Sequence, residues 1–91
     1  MNKIRIEVTQ KHIDEGEKRD CFSCPIALAL YESMPQKTPK VEGCWTRIGK
    51  RTVHNSPRTR AFISDFDEGY PVKPCILILT EDTLTWQEVM K

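Results

Sequence analysis

The chain has 91 residues with 14 basic and 13 acidic side chains, for a formal net charge of +1. That length supports one domain with a thin core, which a partner chain or a metal would help stabilise, so a homo-oligomer is one expectation. The near-balanced charge argues against a general nucleic-acid coat, and no run of eighteen apolar residues exists to cross a membrane. The opening Met1-Asn2-Lys3-Ile4-Arg5 lacks the apolar stretch of a signal peptide. The expected setting is therefore cytoplasmic, where four cysteines stay reduced.

Lys3 to Val8 alternates charged and apolar residues, the period of a half-buried strand with Ile4, Ile6 and Val8 inward. Thr9 then caps a short helix over 10–15, with Val8 and Ile13 as a hydrophobic staple. Gly16 suits a left-handed stop. After a polar loop comes the longest apolar run, Cys21 to Met34. It reads as a buried helix. Ser23 or Cys24 is its cap, Pro25 its first residue, and Ile26, Leu30 and Met34 its stripe. Pro35 ends it, and the prolyl segment 35–40 is an exposed connection.

Val41 to Ile48 looks like a strand with a glycine irregularity. Gly49-Lys50 is a tight turn into a partner strand over 51–54. Ser56 and Pro57 open the next helix as cap and first residue. Ala61, Phe62 and Phe66 are its core face, and Gly69 closes it. Cys75 to Thr80 is apolar on both faces and reads as a central strand. The tail has two readings. Thr85 to Glu88 fits a capping box stapled by Leu84 and Val89, or strand continues through Trp86. The whole is expected to be one α+β domain, residues 1–91, with 80–91 as a C-terminal appendage. Its core would be a small antiparallel sheet of three to four strands with two main helices packed on one face.

The order of features resembles a group of small phage and bacterial proteins with no settled biochemical function. The resemblance is carried by Ile6-Glu7-Val8-Thr9-Gln10, Ile13-Asp14, Gly16 and Cys24-Pro25-Ile26-Ala27-Leu28-Ala29-Leu30. It continues in Arg60-Ala61-Phe62-Ile63, Phe66-Asp67, Gly69, Pro71-Val72 and Pro74. It covers most of the chain outside the prolyl loop and the last ten residues. It implies a shared fold and a phage setting, and it transfers no catalytic residue. The pattern usually ends with the strand before Thr80, so the tail departs from it.

Four chemistries compete. Cys21 and Cys24 have the spacing of a zinc-gripping pair that Cys44 and Cys75 would complete, but with one close pair burial is the stronger reading. The same pair at a helix start would suit thiol redox chemistry, except that it follows a charged loop and not a strand. Arg47, Lys50, Arg51, Arg58 and Arg60, with the Ser56 turn, suggest an anion cradle. Trp45 or Tyr70 would stack on a base there, and the competing reading is a solvated basic face. Asp65, Asp67 and Glu68, with His54 before Ser56, match no hydrolytic motif. The expectation is therefore a phage-type accessory protein, not an enzyme and without a cofactor. It would work by occupying a host defence protein or a nucleotide-type signal. A zinc-stabilised nucleic-acid-associated module is the alternative, with nucleic acid the less favoured partner.

Overall fold

The computed structural model describes residues 3–87. Its elements in order are β1 (Ile4–Val8), α1 (Gln10–Glu15), α2 (Pro25–Ser33), a 3-10 turn (Pro35–Lys37), β2 (Lys40–Val41), β3 (Trp45–Ile48), β4 (Arg51–Asn55), α3 (Pro57–Glu68), β5 (Cys75–Leu79) and β6 (Thr83–Trp86). The strands form one six-stranded sheet in the order β1-β5-β6-β4-β3-β2. The β4–β6 pair is parallel and the others are antiparallel. This mixed, curled sheet with three α-helices replaces the expected antiparallel sheet of three to four strands with two main helices.

The difference has two sources. β2 is two residues long, too short to show a period. The tail is the second. Thr83 to Trp86 is a strand and not a helix start, and it lies between β5 and β4. Leu84 is fully buried there, not set as a staple outside the core. Glu88 and Val89, the other members of the expected capping box and staple, lie outside the described residues.

Local chemistry explains the helix starts. The side chain of Thr9 accepts from the His12 N–H (3.4 Å), while His12 Nδ1 accepts from the Thr9 N–H (3.0 Å). Because Nδ1 accepts, the ring hydrogen sits on Nε2, which faces Glu32 Oε2 at 3.4 Å. His12 thus completes a buried reciprocal cap. Cys24 caps α2, its Sγ accepting from the Ala27 N–H (3.4 Å), and Pro25 takes the first helical position. Ser56 and Pro57 do the same for α3. Gly69 ends α3 in the left-handed region (φ +87°). Gly16 does not end α1 that way, since its φ is −70°. Its role is close approach: a Cβ there would lie 2.8 Å from Pro25 Cδ.

The register assigns every sheet residue to a face. On one face lie Ile6, Val8, Leu77, Leu79, Leu84, Val53, Asn55, Thr46, Ile48 and Val41, all buried. Ile26, Ala27, Ala29 and Leu30 of α2 and Phe62 and Ile63 of α3 join the same cluster. Ile13 of α1 packs against it. Ile4, expected inward, is 43% exposed, because it begins an edge strand. Ala61 is exposed too. Asn55 makes a polar bridge through this core region. It accepts from Thr46 Oγ1 (2.6 Å) and donates to the carbonyls of Glu42 (2.8 Å) and Gly43 (3.1 Å).

Candidate functional site

With the helices packed on one face, the other face of the sheet carries Lys40 (β2), Trp45 and Arg47 (β3), Thr52 and His54 (β4), Thr83 and Thr85 (β6), Ile76 and Ile78 (β5), and Arg5 and Glu7 (β1). None of these described side chains is buried. An alternating strand places one set of side chains in the core and presents the other set as a surface.

One end of that face concentrates rings and cations. Trp45 pairs directly with His54 across β3–β4, and their rings sit 4.4 Å apart at 39°. Trp45 remains 46% exposed, so one side of the ring pair is open to solvent. Two residues on, Arg47 sits directly opposite Lys40 across β2–β3. Like charges placed opposite each other on one face repel. Among the described residues neither has a carboxylate within ion-pair range. Lys40 Nζ lies 5.8 Å from the Phe22 ring centroid, which holds it over an exposed aromatic. A depression lined by Arg19, Asp20, Glu42 and Asp67 also contains the core residues Val41 and Ile63.

The expected single basic cluster divides in the structure. Lys50 and Arg51 are at the tip of the β3–β4 hairpin, where Gly49 (φ +63°) makes the tight turn. They share a depression of about 510 Å³ with Lys37, Met34 and Ile4. Ser56, Arg58 and Arg60 lie beyond the opposite end of β4, and Arg51 and Asn55 are separated by about 13 Å of extended chain. Short sequence distance had suggested one small area; a strand running the length of the sheet separates the groups. Arg58 lies over Trp86 at 5.1 Å, beside a groove of about 790 Å³ also lined by Glu7, Gln10 and Lys73. Arg60, two residues on, points along a different side of the helix. The Ser56 hydroxyl is a structural group: it accepts from the N–H of Thr59 (3.4 Å) and of Trp86 (3.2 Å). Tyr70 is exposed at the far end of α3 from Trp45's side of the sheet, about 18 Å along the helix. The two expected stacking residues are therefore not brought together.

Cys21 and Cys24 line one depression, and the four cysteines are all free thiols. Among the described residues no group of three or more Cys, His, Asp or Glu side chains could hold a metal ion. The zinc half of the alternative reading thus has no donor set there. Cys24 sits at a helix start, which favours a thiolate, but burial outweighs the backbone donors and pushes its thiol up to about 11. Burial pushes Cys75 up to about 12. Neither has the lowered pKa that thiol redox chemistry requires.

Sequence reading missed His54 and Lys40 as partners of Trp45 and Arg47. The first was within reach: a two-residue turn at Gly49-Lys50 fixes Ile48 opposite Arg51, and therefore Trp45 opposite His54. The second depended on a two-residue strand. Among the described residues no helix is long and apolar enough to cross a membrane. No family model matches the chain, and neither a curated protein nor a solved structure matches it.

Proposed function

We propose that the protein is a small binding protein that works by occupying a nucleotide-type ligand on the face of its sheet opposite the packed helices, without catalysing a reaction on it. The observation that carries this reading is the juxtaposition of the Trp45–His54 ring pair with the opposed cations Lys40 and Arg47. A base has a π-face that stacks on an exposed aromatic ring. A phosphate placed between two facing cations relieves their repulsion and takes up charge-assisted hydrogen bonds. In the phage setting that the resemblance implies, the occupied ligand belongs to the host. A host protein as target has less support, because this face offers rings and like charges in place of a broad apolar patch.

The test is calorimetric titration of the purified protein with adenosine and thymidine monophosphates and a cyclic dinucleotide. At least one should bind, and Trp45→Ala and Arg47→Glu should each weaken it tenfold or more, as loss of a stacking or charge-assisted contact of about 1–3 kcal/mol implies. Equal affinity of parent and both variants, or no binding of any nucleotide, refutes the reading.

A further inference from the structure

The ring pair and its two cations occupy one end of a face that continues across the other strands. From β2 to β1 the sheet has five inter-strand spacings, or about 24 Å. Beyond His54 the positions on this face are exposed Thr52 on β4, then half-buried Thr83 and exposed Thr85 on β6, whose hydroxyl donates to that of Thr83 (3.0 Å). Ile76 and Ile78 follow on β5, half-buried, and Arg5 closes the face on β1 opposite Ile78. Three cations, Lys40, Arg47 and Arg5, stand against Glu7 at the strand positions, and Glu42, whose N–H donates to the Trp45 carbonyl (2.8 Å), adjoins them in the β2–β3 turn. A chain whose basic and acidic residues nearly cancel is thus basic on this one surface. The other acids of the described residues lie on α1 (Asp14, Glu15), in the loop before α2 (Glu17, Asp20), on α2 (Glu32), at the end of α3 (Asp65, Asp67, Glu68) and in the β5–β6 turn (Glu81, Asp82).

We infer that the ligand of this face is a single strand of nucleic acid, laid across the sheet from the Lys40–Arg47 pair to Arg5. The inference rests on the nucleotide reading above and extends it from one base to several. A row of aromatic, hydroxyl and aliphatic groups flanked by cations is what a strand of unpaired bases needs. Rings stack one base, threonine hydroxyls accept and donate hydrogen bonds, isoleucines contact sugar or base faces, and the terminal cations hold phosphates. A face of about 24 Å takes about four nucleotides, the low end of single-strand binding sites. A duplex buries its base faces and offers the rings no stacking surface, so the same chemistry selects against it.

The experiment measures fluorescence anisotropy with labelled eight-nucleotide oligothymidylate and its RNA counterpart, with thymidine monophosphate and a duplex as competitors. The eight-mer should bind at least tenfold tighter than the mononucleotide, and the duplex at least tenfold weaker than the eight-mer. Affinity should fall as salt rises, with a logarithmic slope of about −2 for three phosphates neutralised. In Trp45→Ala the eight-mer affinity should fall tenfold or more. In Arg5→Glu the advantage of the eight-mer over the mononucleotide should shrink at least threefold, with circular dichroism confirming an unchanged fold. Equal affinity for eight-mer and mononucleotide overturns the strand and leaves the local nucleotide site standing. Absence of binding to either overturns both readings, and Trp45-dependent capture of a protein in that case reassigns the face to protein docking.

Discussion

Replacing Leu84 with alanine tests whether β6 is an integral part of the sheet or an appended tail. Leu84 is fully buried, stands opposite Leu79 in β5 and Asn55 in β4, and belongs to the single apolar cluster. Its backbone carbonyl, which accepts from Thr59 Oγ1 (3.0 Å) and from the Ser56 N–H (3.0 Å), survives the substitution. The loss is therefore side-chain packing alone. Removing three carbons costs about 2.4 kcal/mol of transfer free energy. The cavity, walled by a sheet on both sides, raises that to about 3–4 kcal/mol. A domain of this length has about 5–14 kcal/mol in total, so about a fifth or more of its stability is at stake. With an m-value of about 1.5 kcal/mol/M, the urea midpoint should fall by about 2–2.7 M. Thr85→Ala, one residue on and facing solvent, should change stability by less than about 0.5 kcal/mol. A Leu84→Ala midpoint within about 0.5 M of the parent would show that the core closes without β6, and the six-stranded sheet would be wrong.

Gly16→Ala should destabilise by about 1–3 kcal/mol, because its Cβ would meet the Pro25 ring at 2.8–2.9 Å. Gly43→Ala, with nothing within 4 Å of its Cβ, should be neutral or slightly stabilising, and a reversed order in denaturant melts would refute the close-approach role. Asn55→Ala should cost about 1–3 kcal/mol by leaving the Thr46 hydroxyl and two carbonyls unpaired. Asn55→Asp should cost more, since it turns an acceptor toward those carbonyls; if the aspartate melts at the parent's temperature, the bridge is not made. The buried thiols predict a pH dependence. Both have folded pKa values raised above the ordinary 9.0, to about 11 for Cys24 and about 12 for Cys75. Above pH 9 the unfolded thiols ionise first, so their contribution is complete below pH 9 and falls as pH rises toward 12. Cys75→Val should flatten that alkaline decline, and an identical profile in parent and variant would count against it. In the native state near pH 8, exposed Cys44 should react with a thiol reagent well before Cys24 and Cys75.

Helix starts, the tight hairpin and the inner strand were determined by sequence alone. Each is a local contest that neighbouring residues decide. Proline after a capping side chain set the starts of α2 and α3, glycine set the Gly49 turn, and an apolar run with no polar alternation set β5 between two neighbours. What the tertiary structure decided is everything that joins distant segments. Thr83 to Trp86 satisfies a helix cap and a strand about equally in sequence, and the open edges of β5 and β4 settle it as the strand that joins them. Lys40 belongs to a strand of two residues, which has no period to read, yet its pairing puts a lysine opposite Arg47. His12 becomes a buried cap because α2 covers it. The basic residues, close in sequence, are parted because β4 runs straight for five residues before α3 begins. Net charge could not show the basic face, because a sum over the chain discards where the charges lie. The side of a sheet on which helices pack is set by long-range burial, and that choice decided which residues remain to meet a ligand.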